Sequence, residues 1–139
     1  DFYFNDLNYP RKTVGDLMLT GKNIPLVKDK ILMKKALKVI NDKKLGVLIV
    51  ENKKKETVGI LTDGDLKRIA QKYINFDHLR INKVMTKNPL TIECDTLAAS
   101  ALATMNSKKI TSLCVHKNKK IKRTIGIIHM HDILKSNIN

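Results

Sequence analysis

The sequence predicts an α/β (α+β) fold in which two copies of a β-α-β-β-α unit pack together as one pseudo-twofold module. The main observation is a repeat: residues 59–66 read GILTDGDL, and residues 126–133 read GIIHMHDI, 67 positions later. Leu17-Met18 and Val84-Met85 repeat at the same spacing. Because each copy is too short to bury a substantial core alone, we expect the two copies to form one domain.

The elements of the first copy follow from its local patterns. Apolar residues recur at helical spacing between Asp29 and Asp42, and two β-rich runs flank a polar turn at residues 52–56. Thr62 is followed three residues later by Asp65, a variant of the capping box that begins a helix. The expected strand, helix, hairpin and helix lie at residues 24–27, 29–42, 46–61 and 62–73.

The second copy repeats this order at residues 90–92, 96–108, 111–128 and 131–137. The two copies differ in length only in segments that read as loops, where a duplicated fold tolerates insertions. We therefore divide the chain into a linker segment at residues 1–13, a first repeat at 14–76 and a second repeat at 77–139. The aromatic residues of the linker suggest a segment that docks on a neighbouring domain.

The charge of the chain is strongly basic, with 27 Lys and Arg against 13 Asp and Glu and a formal net charge of +14. Such a charge suits nucleic acid, an anionic membrane surface or an anionic small ligand. Only four of the cations are arginine, and aromatic residues make up 4% of the chain, whereas base readout and stacking depend on both. We therefore favour a solvated basic surface and do not expect nucleic acid as the partner. A basic nucleic-acid-binding module is kept as an alternative function.

The cellular setting is inferred from what the sequence contains. No apolar run approaches the roughly 20 residues of a membrane span, and no secretory signal pattern is present. Cys94 and Cys114 form no CxxC pair and lie in apolar strand-like contexts, which is typical of reduced thiols. We expect a cytoplasmic protein without a membrane partner. Because the chain begins at Asp1, we interpret it as processed, tagged or cut from a longer protein.

Two motifs now point to a family. Leu/Val-Met at the start of each copy and Gly-apolar-apolar-Thr-x-x-Asp at its end resemble the CBS domain, and the tandem pair resembles a CBS (Bateman) module over residues 14–137. GILTDGDLKR in the first copy, with KKITSLCV and GIIHMHDIL in the second, resembles the C-terminal CBS pair of KpsF/GutQ-type sugar-phosphate isomerases. Those enzymes interconvert D-ribulose 5-phosphate and D-arabinose 5-phosphate for Kdo and lipopolysaccharide biosynthesis.

The resemblance implies a regulatory module excised from an aldose-ketose isomerase whose SIS catalytic domain is missing here, so that this chain is not itself an enzyme and has no catalytic residues. It also implies a homodimer, within a parent that forms a higher oligomer. CBS pairs commonly bind a nucleotide between their copies. The resemblance therefore makes an adenine nucleotide, or CMP-Kdo as the nucleotide-sugar end product of the pathway, the candidate effector, and no cofactor is required.

The candidate ligand residues of the first copy are Thr62 and Asp65, because both project from the start of one helix. A helix N-terminus offers N–H donors to a phosphate, and a carboxylate accepts hydrogen bonds from a ribose diol. Thr62 is therefore expected to reach phosphate, and Asp65 the ribose. The alternative is that both residues only cap the helix and complement its dipole.

The second copy retains Asp132 but has His129 in place of Thr62, and His131 follows two residues later. An imidazole can donate to a phosphate or a carboxylate, so these residues predict a different ligand or a different contact. Thr111 and Ser112 offer hydroxyls to the same cleft or, alternatively, face solvent. The spacing of the histidines with Cys114 fits no standard zinc pattern, and we expect no metal site.

One further alternative is a purely structural role. CBS pairs associate into dimers, so the module could hold an enzyme oligomer together without binding any ligand.

Overall fold

The computed structural model of the chain describes residues 11–137, with side chains as far as residue 136. Most of the linker segment, including its aromatic residues, lies outside the described residues. Two short 3-10 turns, at Gly21–Asn23 and Ile81–Lys83, separate the longer elements. Those elements are, in order, α1 (Val14–Leu17), β1 (Leu26–Lys28), α2 (Met33–Lys43), β2 (Val47–Glu51), β3 (Thr57–Thr62), α3 (Asp63–Lys72), β4 (Thr86–Lys87), β5 (Thr91–Glu93), α4 (Ala98–Lys108), β6 (Ser112–His116), β7 (Thr124–His129) and α5 (Met130–Asn137).

The order β-α-β-β-α occurs twice, from β1 to α3 and from β5 to α5, which confirms the predicted α+β architecture. One sheet has the order β1-β2-β3-β4 and the other β5-β6-β7. In each sheet the first strand is parallel to the second, and the second is antiparallel to the third. Both hairpins carry a register irregularity at the equivalent place, after Val50 and after Val115.

The segment that begins each repeat packs on the other repeat. Val14 of α1 is fully buried in the core of the second repeat, beside Ala98 and Ile133. Ile81 and Val84, which open the second repeat in sequence, are buried in the core of the first. The structure therefore exchanges two short segments between repeats that the sequence divides end to end.

Backbone pairing follows the same exchange. Thr86 of β4 pairs with Ile60 of β3 in the first sheet. Leu19 forms the equivalent bridge to Ile127 of β7 in the second sheet. Since each bridge joins the two repeats, neither repeat completes its sheet alone.

The exchange also explains why the helices begin later than their apolar spacing predicts. The helix expected at residues 29–42 begins at Met33, because Ile31 stays extended and its carbonyl accepts a hydrogen bond of 2.8 Å from Ile81 N. In the second repeat the helix expected from residue 96 begins at Ala98, a shorter delay with the same cause, because the carbonyl of Thr96 accepts a hydrogen bond of 2.8 Å from Val14 N. The remaining helix and strand limits lie within two residues of those expected from the sequence.

The two sheets meet at a central apolar layer made of Ile24, Val47, Ile49, Cys114 and Ile127. A polar cluster lies at one margin of the contact between the repeats. There Thr57 Oγ1 lies 2.6 Å from the Oγ1 of its repeat equivalent, Thr124, and 2.8 Å from His116 Nε2. Within residues 11–137, no helix is long and apolar enough to cross a membrane.

Candidate functional site

A cavity of about 470 Å³ lies between the repeats, and we call it the inter-repeat cavity. Its floor is apolar, because Ile49 and Ile60 of the first sheet are opposed by Cys114 and Ile127 of the second. Three of these four side chains are buried, and Ile60 is half-buried. Such a volume with an apolar floor is typical of a pocket for a small organic ligand.

The mouth of the inter-repeat cavity is polar. On the side of the first repeat it is formed by the residues that begin α3, and on the side of the second repeat by the end of α4 and the start of β6. An apolar floor under a polar mouth suits a ligand with one flat apolar group and one charged or hydroxylated group. The mouth residues are Thr62, Asp63 and Gly64 on one side and Lys108, Lys109, Thr111 and Ser112 on the other.

Thr62 is the N-cap of α3, as the sequence predicts. Its Oγ1 accepts a hydrogen bond of 3.1 Å from Asp65 N, and Asp65 Oδ2 accepts one of 2.9 Å from Thr62 N. This reciprocal capping box fixes the side chain of Thr62 at the cavity mouth. The helix starts here because both residues satisfy backbone N–H groups that have no partner within the helix.

Asp65 is the centre of a small hydrogen-bond network just behind the mouth. Its Oδ1 accepts from Arg68 Nη2 at 2.8 Å and from Thr86 Oγ1 at 3.0 Å. Burial by itself raises the pKa of this carboxyl, but the hydrogen bonds from Arg68, Thr62 and Thr86 outweigh it and hold the pKa below its usual value. Asp65 is therefore ionised at neutral pH.

In the second repeat, the start of α5 is equivalent to the start of α3, but its hydrogen bonds are different. His129 N donates to Asp132 Oδ2 at 3.2 Å, and His129 Nδ1 accepts from His131 N at 3.1 Å. Because Nδ1 is an acceptor, the proton of neutral His129 lies on Nε2. Burial, and then the neighbouring His131, lower the pKa of His129, while Asp132 acts in the opposite direction. His129 is thus a neutral donor at pH 7.

The structure brings together three of the seven residues predicted from the sequence. Thr62, Thr111 and Ser112 line the inter-repeat cavity from opposite sides. The lining of this cavity does not include Asp65, His129, His131 or Asp132. Asp65 nevertheless contacts Thr62 directly, whereas the three second-repeat residues lie together at the start of α5.

Sequence reasoning missed three charged residues of the mouth, namely Asp63, Lys108 and Lys109. Each is close in sequence to a residue that was singled out, since Asp63 follows Thr62 and Lys109 lies two residues before Thr111. Closeness in sequence to a predicted residue is the only signal that could have found them. Packing between the repeats decides which of the neighbouring residues faces the cavity, and the sequence does not show that packing.

Among the residues that the structure describes, no three His, Cys, Asp or Glu side chains are grouped so that they could hold a metal ion. Cys114 is buried, its Sγ lies 3.3 Å from Thr124 Oγ1, and burial raises the pKa of its thiol. Cys114 therefore presents a neutral thiol to the cavity floor.

Comparison with known proteins identifies the fold family. The family model described as "CBS domain" matches residues 14–72 and again residues 81–138. These two matches cover most of the chain, so the protein belongs to the CBS domain family and contains a pair of such domains. The exchanged segments described above belong to that pair.

Two relatives extend the comparison to whole proteins. Arabinose 5-phosphate isomerase KdsD of Yersinia pestis is 34% identical over 125 residues, which cover 90% of this chain and 37% of that protein. KdsD of Francisella tularensis is 39% identical over 123 residues, covering 88% and 36%. The chain thus spans little more than a third of the length of these relatives.

A solved structure shares the fold along almost the whole chain. CBSX2, a CBS-pair protein of Arabidopsis thaliana solved in complex with AMP, superposes with a TM-score of 0.77 at 26% identity. The match covers 91% of this chain and 96% of that one.

Proposed function

We propose that this CBS pair is a regulatory module that binds a nucleotide in the inter-repeat cavity. The observation that carries the proposal is a cavity of about 470 Å³ between the two CBS repeats, with an apolar floor and a mouth lined by hydroxyl and charged groups. The related CBS pair of CBSX2 has been solved with AMP, which makes an adenine nucleotide the first candidate ligand.

The residues suggest how a nucleotide would be oriented. The apolar floor formed by Ile49, Ile60 and Ile127 accepts the base, and the phosphate then lies at the mouth near the start of α3 and Thr62. Asp65 remains the candidate acceptor for ribose hydroxyls. A carboxylate offers about four acceptor positions, and Asp65 uses three of them within the protein.

The second-repeat residues are proposed as a separate contact. The Nε2–H of neutral His129 can donate to an anionic group, and Asp132 has acceptor positions left beside its bond to His129 N. His131 is exposed next to them. These three residues therefore belong to a ligand contact at the start of α5, outside the cavity lining.

We further propose that the module regulates an arabinose 5-phosphate isomerase in the cytoplasm. The relatives at 34% and 39% identity carry that name and extend well beyond the region matched by this chain. In such a parent, a catalytic SIS domain performs the isomerisation and the CBS pair senses an effector. CMP-Kdo is then the second candidate ligand, because it combines a ribose diol with a carboxylate.

Thermal unfolding against a nucleotide panel tests the proposal. A ligand at 100 times its dissociation constant stabilises the folded state by about 2.7 kcal/mol, which raises the melting temperature by several degrees. We expect this shift with AMP or CMP-Kdo, and none with ribose 5-phosphate at the same concentration because it lacks a base for the floor. A melting temperature unchanged by every nucleotide would count against the proposal.

A structural role is the second candidate function, and exposed apolar side chains favour it. Ile74, after α3, is fully exposed, and Leu134 of α5 is 42% exposed. A homodimer contact at these positions would remove their apolar surface from water. Sedimentation velocity measures the association directly: a stable dimer with no nucleotide response would favour this role, and a monomer would exclude it.

A further inference from the structure

The mouth of the inter-repeat cavity has opposite charges on its two walls. Lys108 and Lys109, at the end of α4, lie on the wall of the second repeat. Asp63, the first residue of α3, lies on the wall of the first repeat. All three side chains are exposed, so the charges face the solvent at the entrance and not the apolar floor.

The aspartate is held at the wall by a close approach to Gly46. Asp63 N donates to Gly46 O at 3.1 Å, and a Cβ added to Gly46 would lie 2.9 Å from Asp63 Oδ2. Within the described part of the chain, the carboxylate of Asp63 makes no ion pair and accepts no hydrogen bond. Its negative charge is therefore not neutralised by a neighbour.

Among residues 11–137, the second repeat lacks the equivalent of this aspartate–glycine contact. In the second repeat, Met130 occupies the position of Asp63, and Thr111 occupies that of Gly46. The lysine pair, in contrast, is repeated as Lys43 and Lys44. The carboxylate of Asp63, which has no paired cation among the described residues, thus distinguishes the inter-repeat cavity from the equivalent place between the start of α5 and the end of α2.

We infer, on the basis of the proposed nucleotide-binding function, that this mouth selects ligands by their number of phosphate groups and favours one. With the base on the apolar floor, the first phosphate lies at the mouth between Thr62 on one wall and Lys108 and Lys109 on the other. Each further phosphate extends the negative charge outward to the solvent-exposed entrance, where Asp63 lies. Over distances of about 6–8 Å at a protein surface, that repulsion lowers affinity by roughly threefold to tenfold for each added phosphate.

Dissociation constants for adenosine, AMP, ADP and ATP test the inference, measured by calorimetry with EDTA so that no divalent cation neutralises the phosphates. In the wild type we expect AMP to bind most tightly and ATP at least about tenfold more weakly. Asp63→Asn should improve ATP binding several-fold more than AMP binding and leave adenosine unchanged. Asp42→Asn is the matched control, because it removes the same charge from an exposed residue of α2, outside the cavity lining.

A second test variant and its control examine the two lysines of the cavity mouth. Lys109→Gln should weaken AMP several-fold without affecting adenosine, whereas Lys38→Gln, at an exposed site on α2, should affect neither. If AMP binds but Asp63→Asn leaves the ratio of ATP to AMP affinity at its wild-type value, the selection mechanism is overturned and the proposed function stands. If CMP-Kdo binds to the wild type but none of the adenine compounds does, the selection mechanism is likewise overturned and the proposed function stands. If neither CMP-Kdo nor any adenine compound binds, both are overturned.

Discussion

At the scale of single residues, Gly59 and Gly126 are the positions where the exchanged segments come closest to the sheets. A Cβ added to Gly59 would overlap Met85 Sδ and lie 2.9 Å from Thr86 O. At Gly126 the equivalent overlap is with Met18 Sδ, and Leu19 O lies at 2.9 Å. These glycines therefore allow β3 and β7 each to pair with a segment from the other repeat.

We predict that Gly59→Ala and Gly126→Ala each lower the free energy of unfolding by about 1–3 kcal/mol, because the backbone of the exchanged segment must move. Gly64→Ala is the control, since its Cβ would meet only Thr62 Oγ1, at 3.6 Å, and alanine favours the helix. Urea unfolding measures the three variants. Equal midpoints for Gly59→Ala and Gly64→Ala would show that the close approach is unimportant.

The burial of His116 predicts that the free energy of unfolding depends on pH. The residue is 7% exposed, its Nε2 lies 2.8 Å from Thr57 Oγ1, and burial lowers its pKa below the ordinary value. The unfolded state therefore binds a proton more readily than the folded state. The stabilisation is fully present above the unfolded pKa of about 6.5, and it is lost as the pH falls from there through the folded pKa.

We predict that the free energy of unfolding falls between pH 7.5 and pH 5.5, and that His116→Gln reduces this fall. Part of the fall remains in the variant because the pKa of His129 is lowered as well. Exposed His78→Gln is the control and should retain the wild-type dependence. A pH dependence identical in His116→Gln and the wild type would contradict the assignment.

At the scale of elements, the two capping boxes are the clearest local signals. Thr13 with Asp16 begins α1, and Thr62 with Asp65 begins α3. We predict that Thr13→Ala and Thr62→Ala each cost about 1 kcal/mol of unfolding free energy, because an N-terminal N–H loses its acceptor. Serine at either position should retain most of the stability, and urea midpoints that are equal for the serine and alanine variants would disprove the role of the hydroxyl.

Local signals account for most of the elements that the sequence predicts. The spacing of Met33, Ala36 and Ile40, all buried on one face of α2, is visible in the sequence. By contrast, β4 and the extended residues before α2 are stabilised by backbone bonds to distant segments, such as the bond from Ile81 to Ile31. The periodicity of a short stretch of sequence carries no information about bonds to distant segments, so no local pattern predicts β4.

At the scale of the whole molecule, the exchange of segments packs the two repeats into one unit. The duplication in the sequence predicts that the repeats pair and that a cleft forms between them, and the inter-repeat cavity agrees with this. It does not reveal which charged neighbours enter the mouth. Asp63 and Asp65 are only two residues apart, yet only Asp63 lines the cavity, because Asp65 turns back to Thr86 and Arg68.

Calorimetric titration of AMP and CMP-Kdo into the wild type, Thr62→Ala and Thr13→Ala tests most directly whether the inter-repeat cavity binds a nucleotide. The two variants lose similar capping energy, but only Thr62 lies at the cavity mouth. We predict one ligand per cavity in the wild type, affinity reduced by about tenfold in Thr62→Ala through a lost hydrogen bond to a charged group, and unchanged affinity in Thr13→Ala. Absence of saturable binding by either nucleotide, or equal affinity in the two variants, would contradict the assignment of the inter-repeat cavity as the nucleotide site.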